Sequence, residues 1–109
     1  LYPTTELIFW LVKGKPKTYK NNCHFQNEVW KIQPSDAKLH PASFPEELAE
    51  NCILLTSEEG DVVLDPFMGS GTTAVCAKKT KRNFIGFEIS ENYCNIANQR
   101  VKYEQSSLF

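Results

Sequence analysis

An α/β fold built on a parallel sheet is what this sequence predicts, and three observations carry the prediction. Two short apolar runs, Val62-Val63-Leu64 and Phe84-Ile85-Gly86-Phe87, each close on an acid, Asp65 and Glu88. A glycine-rich turn, Pro66-Phe67-Met68-Gly69-Ser70-Gly71, follows the first run. A segment of helical periodicity follows each run, so the order is strand, helix, strand, helix. That order pairs strands in parallel through right-handed crossovers.

Taken in chain order, Glu6 to Lys13 is a compact apolar and β-branched run and reads as a strand closed by Gly14 and Pro16. A lysine-rich polar stretch follows to about Asn27, and Glu28 to Ile32 reads as a short strand. Pro41 and Pro45 keep the next segment extended. Phe44-Pro45-Glu46-Glu47-Leu48 then opens a helix, because proline and two acids suit a first turn. Leu48, Cys52 and Leu55 recur at helical spacing and carry it to about Thr56. Val62 to Asp65 is a buried strand and Thr72 to Thr80 a helix with Ala74, Val75 and Ala77 facing inward. Asn83 to Ile89 reads as a second buried strand. Ser90 caps a last helix with Tyr93, Ile96, Ala97 and Val101 on one face, and the tail after Tyr103 reads as frayed.

Composition bounds the function classes. The 109 residues make one domain's worth of chain, with 41% hydrophobic and 12% aromatic residues, too apolar for a solvated tail. No run approaches the length of a membrane span, and the opening residues carry no positive region of a secretory leader. Leu1 rather than Met implies a piece of a longer chain. Cys23, Cys52, Cys76 and Cys94 are widely spaced, which disfavours a zinc site and reads as reduced thiols in a cytoplasm. The net charge of −1 is unevenly spread: Lys13, Lys15, Lys17 and Lys20 form one cluster, and Lys78, Lys79, Lys81 and Arg82 another. Such clusters suit either phosphate contact or simple solvation.

The second half carries the chemistry. A glycine turn between strand and helix lets backbone approach a ligand and aims N–H groups at it. An acid ending the next strand suits ribose hydroxyls, so a nucleoside-containing ligand is expected. Gly71-Thr72-Thr73 lacks the lysine of a phosphate-loop NTPase. Asp65 would repel a pyrophosphate but tolerates a cationic ligand such as S-adenosylmethionine.

Val62-Val63-Leu64-Asp65-Pro66-Phe67-Met68-Gly69-Ser70-Gly71-Thr72-Thr73 resembles motif I of the bacterial DNA amino-methyltransferases. Lys38-Leu39-His40-Pro41-Ala42-Ser43-Phe44-Pro45-Glu46-Glu47-Leu48 resembles motif X, just upstream as in the β-class order, and Phe84-Ile85-Gly86-Phe87-Glu88-Ile89-Ser90, followed by Glu91-Asn92-Tyr93, is similar to motif II. The resemblance implies a partial Rossmann-like methyltransferase fold: an incomplete, mostly parallel sheet with flanking helices. It divides the chain into a remnant of motif VIII and the target-recognition region (1–35) and a cofactor-binding βαβα unit (36–109). It further implies that Asp65 faces the methionine amino group of S-adenosylmethionine while Gly69 and Gly71 wrap the methionyl part. Ser70, Thr72 and Thr73 would offer hydroxyls and N–H groups near the carboxylate. Phe67 would line the pocket beside the methyl donor, Glu88 would hold both ribose hydroxyls, and Ile89 would pack near the adenine. His40, Ser43 and Phe44 would close the carboxylate side. Lys13, Lys15, Lys17 and Lys20 would touch the backbone of double-stranded DNA.

One departure limits this expectation. The family's catalytic motif IV is Asp, Asn or Ser followed by Pro-Pro and an aromatic, and no Pro-Pro occurs in the 109 residues. In the β-class order it precedes motif X. The expectation is therefore a donor site without its acceptor site: no catalytic residue in this chain, no methyl transfer by it alone, and an open sheet edge that associates with a complementary half or with itself. The alternative is a noncatalytic, truncated or split-gene module that binds cofactor or a partner.

Overall fold

The computed structural model describes residues 5–15, 29–33 and 44–107. Their elements are α1 (Glu46–Thr56), β1 (Val62–Asp65), α2 (Thr72–Lys79), β2 (Asn83–Gly86) and α3 (Glu91–Ser107). The α/β expectation holds, as does the parallel pairing: Val62 lies opposite Asn83 and Asp65 opposite Gly86. Backbone bonds extend the ladder at both ends. Asn83 N–H donates to Asp61 at 2.8 Å before it, and Phe87 N–H donates to Asp65 at 3.0 Å after it.

The helices start and stop for local reasons. Pro45 stands at the N-cap of α1 with extended φ/ψ, and Glu46 and Glu47 set negative charge against the first turn's free N–H groups. Lys78 and Lys79 complement the dipole at the other end of α2. That helix terminates through Thr80, whose hydroxyl donates back to the Cys76 carbonyl at 2.8 Å, and Lys81, whose backbone is left-handed at φ 61°. Ser90 Oγ accepts from Tyr93 N–H at 3.4 Å, the cap geometry expected for α3.

The core is built where α1 and α2 cross one face of the sheet. Ala49 and Ile53 of α1 meet Cys76 and Ala77 of α2, with Val63 and Phe84 packed beneath. Val63 and Phe84 are register partners and so point to the same side. Small residues at the crossing bring the helices close: the Cys76 thiol lies 3.4 Å from the Glu46 carbonyl. Burying Ile53 contributes about 2 kcal/mol. Burial, followed by the nearby carboxylates of Glu46 and Glu50, pushes the Cys76 thiol up to about 11, so it is an inert neutral thiol. Cys52 and Cys94 are half-buried and also free.

Four sequence expectations are corrected. Glu6 to Lys13 forms no strand: the described residues there are exposed and irregular. Apolar, β-branched composition favours a strand only where a neighbouring ladder exists, and among the described residues β1 and β2 pair with each other alone. The described residues of the Glu28–Ile32 run are likewise outside any strand. β1 and β2 are not buried on both faces, because no described helix covers the side of Val62, Leu64 (61% exposed) and Ile85. Finally, α3 runs on past Tyr103 to Ser107 rather than fraying there.

Candidate functional site

Parallel pairing brings the C-terminal ends of β1 and β2 to one rim, so the two acids that end the strands share an edge. Asp65 is held by its own turn: Oδ1 accepts from Phe67 N–H at 2.9 Å, and Oδ2 accepts from the Thr73 hydroxyl at 2.6 Å. Glu88 lies two residues beyond β2. Its Oε2 accepts from Gly69 N–H at 2.9 Å and its Oε1 from Ser90 N–H at 2.8 Å. A carboxylate offers about four lone-pair directions, so each is oriented by donors without being saturated by these two.

The turn between them needs glycine. Gly69 and Gly71 take φ of 54° and 88°, the left-handed region that other residues enter at a cost. A Cβ on Gly71 would stand 2.7 Å from the Cβ of Ala97 and 2.9 Å from its Cα, so the turn lies directly on α3. Gly86 is the matching gap in β2. A Cβ there would run into Met68 Cε, and Met68 folds over it as the buried inner side of the bend. Met68 N–H also donates to the Phe87 carbonyl at 2.9 Å, tying the two post-strand segments together.

Behind the rim lies a network that sequence reasoning missed. Arg100 of α3 donates from Nη1 to the Ser70 carbonyl at 2.9 Å and to the hydroxyls of Ser70 and Thr72 at 3.2 Å each. Its Nη2 donates to Glu46 Oε1 at 3.0 Å, and Lys79 Nζ donates to Glu46 Oε2 at 2.6 Å. Burial of Glu46 works to raise its pKa, but the hydrogen bond and charge of Lys79, joined by Arg100, outweigh burial and hold the carboxyl below the ordinary range. Ser70 and Thr72 are thus only 5% and 6% exposed, with their hydroxyls turned toward Arg100 of α3. The Thr73 hydroxyl instead reaches Asp65 at the rim.

The remaining predicted residues divide. Phe67 is 88% exposed and Ile89 fully so, both beside the rim. Phe44 lines a groove of about 680 Å³ with Ile8, Leu48, Cys52, Val63 and Thr73; the groove meets the rim at Thr73 and runs along β1 away from Glu88. Lys13 and Lys15 are exposed. His40, Ser43, Lys17 and Lys20 lie outside the described residues. The second basic cluster dissolves into structure: Arg82 is 6% exposed and donates from Nη2 to the Ser57 carbonyl at 2.8 Å and from Nε to its hydroxyl at 3.1 Å, while Lys79 is paired with Glu46. Among the described residues no group of His, Cys, Asp or Glu suits a metal ion, and no helix is long and apolar enough to cross a membrane.

Sequence and structure comparisons bear on the family of the chain. Residues 1–99 match the family model for N6/N4 enzymes described as DNA methylase. The orphan methyltransferase M.BamHII of Bacillus amyloliquefaciens is 64% identical over 63 residues, 58% of this chain and 24% of the relative. The type II methyltransferase M2.DpnII of Streptococcus pneumoniae is 36% identical over 95% of this chain and 44% of its own length. Among solved structures, a putative DNA modification methylase from Thermus thermophilus, complexed with S-adenosyl-L-methionine, superposes with a TM-score of 0.63 at 39% identity, covering 73% of this chain and 31% of that one. The chain therefore spans less than half the length of these relatives.

Proposed function

The chain belongs to the N6/N4 DNA methylase family, and from that premise we propose that it is the S-adenosylmethionine-holding part of a DNA methyltransferase acting on an exocyclic amine of adenine or cytosine. The observation that carries this reading is the shared rim: Asp65 and Glu88, at the C-terminal ends of parallel strands, flank a turn with two positive-φ glycines. The donor and acceptor set fits the ligand. Asp65, oriented by Phe67 N–H and Thr73, is a negative partner for an ammonium group. Glu88, oriented by Gly69 and Ser90, accepts from a vicinal diol. The first N–H groups of α2 have no partner within the helix and face an anionic group. Bound there, S-adenosylmethionine supplies an electrophilic methyl on sulfonium; the residues of this chain only bind and orient it.

Methyl transfer requires groups these 109 residues do not supply, since no Pro-Pro motif lies among them. Two features support completion by further protein. The outer edge of β1 pairs with no described strand, and the sheet face carrying Val62, Leu64 and Ile85 is uncovered. We assign the first 35 residues to the boundary with target recognition, with exposed Lys13 and Lys15 placed to meet DNA phosphates without reading sequence.

Titration calorimetry with S-adenosylmethionine tests the reading. Asp65→Ala and Glu88→Ala should each weaken binding by about 1–3 kcal/mol, the scale of hydrogen bonds to charged groups. Undiminished affinity in both variants would remove the rim from the proposal. Adding a polypeptide that carries motif IV should produce DNA methylation that neither part shows alone.

A further inference from the structure

The Arg100 guanidinium occupies a place that no ligand-binding role explains. Its hydrogen bonds go to neither acid of the rim, yet it grips both neighbours of Gly71: Ser70 through carbonyl and hydroxyl, Thr72 through its hydroxyl. Ala97, one helical turn earlier on the same face of α3, abuts Gly71 itself. Three consecutive turn residues are thus set by one helix face. The second nitrogen of the fork reaches Glu46, which Lys79 of α2 also holds, so the grip is anchored to the first turn of α1. Only a planar fork with several donors spans these acceptors at once; a lysine ammonium has one centre.

We propose that Arg100 is a positioning residue for cofactor capture. It presets the Ser70–Thr72 backbone so that N–H groups at the start of α2 meet the amino-acid end of the ligand, while making no contact with the ligand itself. The inference rests on the functional reading above and deepens it. It makes a selective claim: the loss on removing Arg100 falls on the end of the ligand that the turn faces, not on the end that Glu88 faces.

The test compares two probes on the full chain, S-adenosylmethionine and 5′-methylthioadenosine, which keeps the nucleoside and lacks the amino-acid group. Arg100→Met should weaken the first about tenfold or more and the second less than about threefold. Arg100→Lys keeps the charge and most of the stem, and should show the same selectivity at a smaller size; it serves where the methionine variant fails to fold. Lys79→Met removes the other partner of Glu46 without touching the turn, and both affinities should stay within about twofold. Equal losses for the two probes would mark Arg100 as a general structural residue and overturn the proposal, as would no loss for either. Failure of the unsubstituted chain to bind either probe would instead sink the functional reading, and the positioning role with it.

Discussion

Gly71→Ala is the sharpest probe of the site, because the structure separates its two costs. The first is conformational: φ of 88° places a substituted residue in the left-handed region, at about 1–2 kcal/mol. The second is steric. The new methyl would meet Ala97 Cβ at 2.7 Å and Ala97 Cα at 2.9 Å, and the backbone atom has no rotamer to escape into. Overpacking of that kind costs about 1–3 kcal/mol. Lower chain entropy in the unfolded state returns about 0.4–1 kcal/mol. The net loss is about 2–4 kcal/mol, read as a shifted midpoint in urea unfolding. Gly69→Ala provides the contrast, since φ of 54° brings strain but no atom lies within 4 Å of the added methyl; it should cost about 1 kcal/mol or less. Ala97→Gly in the Gly71→Ala background removes the Cβ contact but leaves the Cα at 2.9 Å, so it should recover only part of the steric cost, a favourable coupling of about 0.5–1.5 kcal/mol in the double-mutant cycle. If Gly71→Ala costs no more than Gly69→Ala, and Ala97→Gly rescues nothing, the close packing of the turn on α3 is wrong.

Other outcomes follow from the same network. Arg82→Met removes the donors that join the end of α1 to the end of α2 and strands the Ser57 and Thr80 carbonyls, and should lower stability by about 2–4 kcal/mol in denaturant unfolding. Glu46 has a depressed pKa in the fold, so its stabilisation is present above the ordinary value of 4.5 and is lost as pH falls through the lower folded value; Glu46→Gln should flatten the acid limb of a stability–pH profile in that window. Lys81→Gly relieves a left-handed backbone at φ 61° and surrenders only the exposed pair with Glu59, so unfolding should show a gain of about 0.5–1 kcal/mol. Cys76, buried and pushed up to about 11, should resist a thiol reagent at pH 8 until the chain unfolds.

How far the sequence disclosed this molecule depends on the range of the forces involved. The order from α1 to α3 was legible because its signals are local: Pro45 before two acids, an apolar run before a glycine turn, Ser90 before a helix. The acids at the rim were legible for the same reason, since parallel pairing follows from the order of elements. What escaped is long-range. Arg82 reads as one member of a basic cluster until Ser57, 25 residues earlier, comes to lie against it. Arg100 reads as an ordinary helix-surface cation until Ser70 and Glu46 arrive from 30 and 54 positions away. The run from Glu6 to Lys13 failed in the opposite sense: its composition is that of a strand, but strand formation is decided by a partner, and composition cannot supply one.

The abutment of Gly71 on Ala97 has a bearing on transplantation. Motif-like loops are commonly treated as cassettes that can be lifted into a new scaffold with their own sequence intact. This one is moulded from outside: its curvature is set by the surface of a helix that begins about twenty residues downstream. A graft that carries only the stretch from Asp65 to Thr73 would leave its mould behind, whereas one that also brings the Ala97 and Arg100 surface would keep its shape in foreign surroundings.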